Sequence, residues 1–197
     1  ITKHLSGNRG ITIGDIQYPK GVFNLWTEAQ RNAIGLYTIT FNNTKKKDEE
    51  YYINTNQTYT YDADAGTVTA TYGDATARKH ADTLWTAQDE SDGLGTEGEV
   101  AYRGLKYIKI REIKKQAADI LETTDWYILR KADADTAVPS AITNHRAAVR
   151  TKCAEMETLV TNASNTAAIE TLYTYVNTAD EGDPIVLERP LGEFPVL

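Results

Sequence analysis

The sequence is poor in residues that cross-link a chain, anchor it in a membrane or attract phosphate. Its 197 residues include one cysteine, Cys153, so an intrachain disulfide is impossible. No apolar run approaches the roughly 20 residues that a membrane-spanning helix requires. The opening ITKHLSGNRG lacks the apolar core of a secretory signal. The lack of a long apolar run predicts no membrane partner, and the net charge of -7 predicts no nucleic-acid partner.

The side chains that most often carry enzyme chemistry are few and scattered. The three histidines, His4, His80 and His145, lie far apart, and none has a metal ligand at a useful spacing. His145 and Cys153 fall on one apolar stripe of a predicted helix, where a hydrogen-bonded histidine and a buried thiol are the expected roles. The sequence identifies no base that could activate the cysteine. We therefore predict no catalytic, cofactor-binding or metal-binding residue.

One short acidic segment resembles the start of a calcium loop. It is DADAG, from Asp62 to Gly66, but a loop that began at Asp62 would place Gly73 where the bidentate glutamate belongs. A tight turn is the better interpretation, because aspartate and glycine are typical turn residues. An enzyme that hydrolyses glycans would need two carboxylates at a defined separation, and no acidic pair is distinguished from the surface acids.

Residues 1–87 are predicted to form a β-rich N-terminal domain. Thr27 is placed to cap a short helix that Gly35 ends. LYTITF, from Leu36 to Phe41, alternates as a strand does. YYINTNQTYTYDADAGTVTATYG then predicts a hairpin whose arms are rich in threonine and tyrosine. Because arms this polar cannot bury both faces, we expect a solvated sheet or a sheet that awaits a partner.

The C-terminal half is predicted to be helical, which makes the fold class α+β. An acidic, glycine-rich linker or loop over residues 88–103 precedes a helical domain over residues 104–178. Pro139 suits the start of the second helix, and Asn165 can cap a third, which reaches Val176. The first two helices form a hairpin through apolar stripes at steps of three and four: Ile110, Ile113, Ala117, Ile120 and Leu121 on one, and Ile142, His145, Val149, Cys153, Met156 and Val160 on the other.

The chain must reverse between these two helices, in the stretch TTDWYILRKADADTAVP. We expect a structural corner here. Asp125 would accept a backbone N–H of the following turn. Trp126 would be largely buried against the helical pair, because aromatic side chains beside helix ends are usually part of a core.

Residues 179–197 are predicted to form an extended C-terminal arm. The tail EGDPIVLERPLGEFPVL contains three prolines, which exclude a helix. Its apolar side chains are too numerous to remain in solvent, so we expect the arm to contact another chain. The candidate interface residues are Ile185, Val186, Leu187, Leu191, Phe194 and Val196.

Two stretches of the sequence resemble a known group of viral proteins. One is L-x-x-T-D-W-Y-x-x-R-K-A, which begins at Leu121 and is followed by VP and by HRAAVRTKCAEMETLV. The other is GDIQYP, which begins at Gly14, with EAQRNAIG behind it. Both are similar to segments of small tail-fibre-associated or tail-fibre-assembly-like proteins of tailed, often marine, bacteriophages. The resemblance covers roughly residues 10–40 and 105–175.

This resemblance implies a non-enzymatic protein of the phage tail, baseplate or fibre-attachment region. Its partners would be other tail or fibre proteins, and its place the virion after assembly in the host cytoplasm. The alternative is a soluble chaperone that helps tail fibres fold and is absent from the mature particle. Because both halves of the chain look under-buried for a free monomer, we also expect a homo-oligomer or a ring-bound set of copies.

Overall fold

A computed structural model describes Leu5 and residues 9–55 and 57–197 of the chain. His4 lies outside the described residues. The protein has the predicted α+β fold, with a β-rich N-terminal half and a helical C-terminal half. The chain divides into two compact units, Ile1–Thr76 and Ala77–Leu197, and each is described by itself.

The first unit contains short strands, one short helix and one larger sheet. Thr27 caps the helix as predicted, because its hydroxyl accepts the N–H of Gln30, and Gly35 has a positive φ of 82° just after the helix. The elements are β1 (Ile11–Ile13), β2 (Ile16–Tyr18), a 3₁₀ turn (Lys20–Phe23), α1 (Glu28–Ala33), β3 (Ile39–Asn42), β4 (Tyr52–Ile53), β5 (Gln57–Asp62), β6 (Thr67–Tyr72) and β7 (Thr76–Ala77), the last of which crosses the division.

The larger sheet has the strand order β3-β6-β5. The predicted Thr/Tyr hairpin is confirmed, since β5 and β6 pair antiparallel from Gln57 opposite Tyr72 to Asp62 opposite Thr67. The DADAG segment forms its turn. β3 then adds to the other side of β6 in parallel, with Thr40 opposite Thr69. β6 is therefore the central strand, and β3 and β5 are the two edges.

The two faces of this sheet differ sharply in chemistry, because successive side chains of a strand point to opposite sides. On one face, Val68 and Ala70 of the central strand are buried. The opposite face consists almost entirely of threonine and ends in polar side chains at its corners. The registers place there Thr40, Asn42, Thr58, Thr60, Asp62, Thr67, Thr69 and Thr71. The sheet therefore has one packed face and one solvated face.

The second unit is built on two long helices. Asn165 caps the third predicted helix, since its side chain accepts the N–H of Ala168 at 2.9 Å. Its elements are β8 (Thr83–Leu84), α2 (Ala87–Ser91), β9 (Val100–Tyr102), α3 (Leu105–Glu122), α4 (Asp125–Ala134), α5 (Ser140–Asn162), α6 (Thr166–Tyr173), β10 (Val176–Asn177) and β11 (Leu187–Glu188). Among the described residues, no helix combines the length and the apolar character that a membrane crossing requires.

The packing of α3 against α5 forms the main core of this unit. The predicted stripes meet here, and Ile113, Met156 and Val160 are almost completely buried. Cys153 is half-buried against the same cluster, as expected for a residue on the stripe. His145 is half-buried at the edge of the stripe. The helical hairpin therefore has the contact face that the spacing predicts.

A lysine also lies inside this region, although no stripe predicted it. Lys109 is only 3% exposed. Its ammonium group is 2.9 Å from the Glu112 carboxylate and 4.7 Å from the centre of the Tyr173 ring. A buried charge needs such partners, because burial without them would be costly. Lys109 thereby links α3 to α6.

The acidic segment is not the boundary between the two units. The sequence placed the main division at residues 88–103, but the units divide between Thr76 and Ala77. The reason is that the flanks of the segment are joined: β8 and β9 pair antiparallel, and the Asp82 carboxylate accepts the Gly104 N–H at 2.7 Å. The acidic segment lies mostly in the loop between the paired strands β8 and β9, it contains part of α2, and it belongs to the second unit.

The C-terminal tail is partly a piece of the protein's own core, which corrects the prediction of an arm that lies on another chain. Leu191 is 1% exposed and belongs to the α3–α5 cluster, and Phe194 packs against it. The Leu191 N–H also donates to the Leu172 carbonyl at 3.0 Å. The third helix ends at Tyr173 rather than at Val176, because the chain turns into β10, which pairs with β11. The tail is extended, as its prolines require.

Truncation of Leu191 should destabilise the second unit. Leu191→Ala removes a fully buried side chain from the main cluster, so we expect a loss on the order of 2–5 kcal/mol in the free energy of unfolding. Urea unfolding followed by circular dichroism at 222 nm measures this loss. Val196→Ala is the matched control, because Val196 is 94% exposed and its loss should stay within about 0.5 kcal/mol. Equal effects of the two substitutions would contradict the docking of the tail.

The Asp82 contact should make stability depend on acid pH. The N–H of Gly104 lowers the pKa of the Asp82 carboxyl, and the nearby Arg103 adds to this effect. A pKa lowered by folding stabilises the protein above the ordinary pKa of the group, and this stabilisation is lost as the pH falls through the folded-state value. Asp82→Asn should therefore lower the melting temperature at pH 7, and the difference from the wild type should shrink below about pH 4.

Thermal scans across that pH range, with Asp133→Asn as the control, measure the effect of this contact. Asp133 is exposed, so its substitution should leave the melting temperature close to the wild-type value throughout. A wild-type advantage over Asp82→Asn that stays constant down to about pH 3 would rule out the proposed linkage.

Candidate protein interaction surface

A buried arginine fixes the place where α3 passes into α4. Arg146 of α5 donates to the Leu121 carbonyl at 2.7 Å and to the Thr124 hydroxyl at 2.7 Å. Its other terminal nitrogen is 2.8 Å from the Asp125 carboxylate. The planar fork of a guanidinium suits several acceptors at once, and here it reaches the Leu121 carbonyl near the end of α3, which also accepts the Thr124 N–H at 3.1 Å. α5 therefore holds the junction in one geometry.

The expected corner is a further helix. The sequence predicted a packed corner with a buried Trp126, whereas α4 runs from Asp125 to Ala134 and contains no buried residue. Trp126 is 49% exposed. Asp125 faces Arg146 instead of serving as a backbone cap. Trp126 is exposed because α3 and α5 already bury their apolar stripes against each other, and nothing among the described residues covers the outer side of α4.

The local sequence explains why α4 is a helix and where it ends. Asp125 lies in the first turn, where a negative charge interacts favourably with the helix dipole. Most of the residues that follow are good helix formers. Lys131 forms an ion pair with Asp135, one turn further on. Asp135 then adopts a positive φ of 52°, which ends the helix.

Three large apolar side chains of α4 are exposed to solvent. They are Trp126, Ile128 and Leu129, which we call the α4 ridge, and Leu129 is 68% exposed. The Trp126 ring is held in place, because it stacks on Tyr127 with centroids 3.9 Å apart and lies 5.7 Å from the Arg130 guanidinium. Exposed groups of apolar side chains on a fixed element are typical of protein contact sites.

The predicted tail interface divides into two groups. Leu191 and Phe194 pack in the protein's own core, as described above. The other four candidates are exposed. They lie around the small β10–β11 hairpin and at the end of the chain, namely Ile185, Val186, Leu187 and Val196. These four residues stay candidates for a contact with another chain.

The single cysteine of the chain, Cys153, does not have the environment of an activated thiol. Burial raises the pKa of the Cys153 thiol, and its hydrogen bond to Glu157 at 3.3 Å raises it further. A thiol that stays protonated is a poor nucleophile. Across residues 9–55 and 57–197, no group of three or more histidine, cysteine, aspartate or glutamate side chains is placed to hold a metal ion.

Two residues that matter here were missed from the sequence. Arg146 lies four residues after Ile142 and three before Val149, so its position on the buried stripe was readable, although its charge argued against burial. Leu129 was missed because the stretch was interpreted as a corner. A helix over residues 125–134 would have placed Trp126 and Leu129 three residues apart on one face.

Comparison with known proteins identifies no relative: neither protein-family models, nor curated proteins, nor solved structures give a match. The resemblance to phage tail proteins, which the sequence motifs predict, therefore stays a prediction. One of these motifs, T-D-W-Y-x-x-R-K, coincides with the start of α4 and includes Trp126 of the ridge.

Loss of Arg146 should loosen the start of α4. Arg146→Gln removes the charged donors from the Leu121 carbonyl and from the Thr124 hydroxyl, so we expect a loss of about 2–4 kcal/mol in the free energy of unfolding. Arg146→Lys should cost less, because it keeps the charge but not the fork. Hydrogen exchange should show faster exchange of the amides at residues 125–134 in both variants. Unchanged exchange in Arg146→Gln would show that α4 does not depend on this anchor.

The control for this comparison is Arg111→Gln on α3. Arg111 is an exposed residue, so its loss should change stability by less than about 0.5 kcal/mol. Urea unfolding of the three variants side by side separates the effect of the anchor from the effect of a lost positive charge.

Proposed function

We propose that this chain is a non-enzymatic structural protein of a bacteriophage tail, baseplate or fibre-attachment region, and that it acts through protein-protein contacts. The observation that carries the proposal is the α4 ridge, a set of large apolar side chains presented to solvent on a fixed helix. The phage assignment rests on the resemblance of the sequence to small tail-fibre-associated proteins.

The chemistry of the ridge suits a contact with another protein. Tryptophan and arginine are enriched among the residues that contribute most to protein binding, and Trp126 and Arg130 lie together here. Leu129 adds an apolar side chain on the same face of the helix. A partner that covered these residues would bury apolar surface, which is favourable at roughly 25 cal/mol per Å².

The anchor of α4 adds to this argument. A surface that is already ordered loses little conformational entropy when it binds, so more of the contact energy appears as affinity. Arg146 holds the junction between α3 and α4 through three contacts of 2.7 to 2.8 Å, and the contact with Asp125 lies in the first turn of α4. The ridge is therefore presented in one orientation before any partner arrives.

The partners under this proposal are other tail or fibre proteins, and the protein resides in the virion after assembly in the host cytoplasm. Mass spectrometry of purified particles of the phage that encodes the chain tests this directly. We expect its peptides in the particle at the level of a structural component. Absence from particles, together with abundance in the infected lysate, would overturn the proposal and favour a soluble tail-fibre assembly chaperone.

A pair of substitutions tests whether the ridge makes the contact. Leu129→Asp places a charge in the centre of the ridge, and we expect its incorporation into particles to fall by roughly tenfold or more. Leu94→Asp is the matched control, because Leu94 is 61% exposed but lies outside the ridge. Both variants should fold, since neither side chain is buried. Equal incorporation of both variants would remove the ridge from the proposed function.

A further inference from the structure

β5 is an edge strand of the larger sheet of the first unit. β5 stands at the end of the β3-β6-β5 sheet, and within residues 9–55 and 57–197 no further strand pairs with that side of it. At six residues, it is as long as the central strand. The side chains of Thr58, Thr60 and Tyr61 are exposed. An open edge of this kind is a template for pairing with a further strand.

β5 lacks the features that usually protect an edge. Proteins protect edge strands with lysine, proline, a bulge or a very short length. QTYTY, from Gln57 to Tyr61, contains neither lysine nor proline, and its pairing with β6 has no irregularity. The opposite edge differs, since β3 has four residues and is followed closely by three consecutive lysines, Lys45 to Lys47. β5 is therefore the less protected of the two edges of the sheet.

The single charge of β5 does not block its edge. The Asp62 carboxylate accepts the N–H groups of Asp64 and Ala65, both at 3.0 Å. It is thus held in the turn that follows the strand. Tyr61 is also held in place, because its hydroxyl lies 3.2 Å from the Tyr37 hydroxyl and the two ring centroids are 4.6 Å apart. The edge presents ordered tyrosine and threonine side chains.

We propose that β5 is a self-association site, at which β5 of a second copy of this chain pairs antiparallel and joins the two three-stranded sheets into one. The pairing is centred on Thr60, which lies opposite its own counterpart. Tyr59 of each copy then lies opposite Tyr61 of the other, and Thr58 opposite Asp62. This surface is independent of the virion location proposed above.

The occupant is a second copy because the strand is complementary to itself in this register. The registers with β6 place Tyr59 and Tyr61 on one face and Thr58 and Thr60 on the other. A two-fold axis at Thr60 keeps every tyrosine on the tyrosine face and every threonine on the threonine face. Aromatic pairs and threonine pairs across strands both stabilise a sheet. The same two-fold axis places the Asp62 of each copy opposite Thr58 of the other copy, so the two aspartates do not face each other.

The two-fold axis at Thr60 allows a test by charge. Thr60→Lys places two positive charges directly opposite each other, and Thr60→Glu places two negative charges there, so each variant alone should dissociate. We expect the dissociation constant of each to rise by about tenfold or more in sedimentation equilibrium of the full chain. An equimolar mixture of the two variants should restore the dimer, because the charges are then opposite.

Thr40→Lys is the matched control, since Thr40 is an exposed threonine of the same row on the other edge of the sheet. It should leave the dimer intact, and circular dichroism should show that all variants fold. A wild-type chain that stays monomeric up to about 1 mM would overturn the proposal, because a specific strand pairing should be tighter than this. So would a dimer that responds to Thr40→Lys and not to Thr60→Lys.

A cross-link tests the register itself. In a Cys153→Ser background, Thr60→Cys should form a disulfide between two copies on mild oxidation, because opposed residues of antiparallel strands lie about 4.5–5.5 Å apart at Cα. Thr40→Cys in the same background should not. A wild-type dimer that gives no cross-link through Thr60→Cys would show that the copies meet elsewhere and would overturn the assigned surface. Neither result bears on whether the chain is found in particles.

Discussion

The seam between α3 and α5 is the contact on which the second unit depends. Its apolar centre is Ile113, Met156 and Val160, and burying side chains of this size is the largest favourable term that a unit of this kind has. Two charged side chains at the borders of this contact, Arg146 and Lys109, fix the neighbouring elements. Arg146 orders the end of α3, and Lys109 draws Tyr173 of α6 towards α3.

Two exposed parts of the second unit, α4 and the β10–β11 hairpin, can be related to this contact between α3 and α5. α4 leaves it at Thr124, in the direction that Arg146 fixes, and its apolar residues face outward because the seam is already filled. The tail returns to it through Leu191, which fills the cluster beside Met156. As a result, the residues between β10 and β11, including Ile185, are displayed rather than packed. The residues around Ile185 are exposed because Leu191, and not these residues, packs into the core.

Local patterns in the sequence predicted the helices and strands well, but they predicted poorly which distant segments contact each other. The stripes of α3 and α5, the caps at Thr27 and Asn165, and the β5–β6 hairpin are all encoded within one turn or a few residues. The burial of Trp126 was wrong because it depends on whether a distant segment covers α4, which no local pattern contains. The main domain boundary at 88–103 was wrong for the same reason, since Asp82 meets Gly104 across 22 residues.

The α4 ridge and the edge of β5 belong to different units and use different physics. The ridge offers apolar side chains, so its partner is selected by shape and by the area that it buries. The edge of β5 offers backbone groups, which any strand can pair with, so selectivity must come from side-chain register. The tyrosines and threonines of β5 lie on opposite faces, so the proposed pairing with a copy of the same strand sets tyrosine opposite tyrosine and threonine opposite threonine. Under these two proposals, the ridge would contact a different protein and the edge of β5 a second copy, so each contact would need its own kind of complementarity.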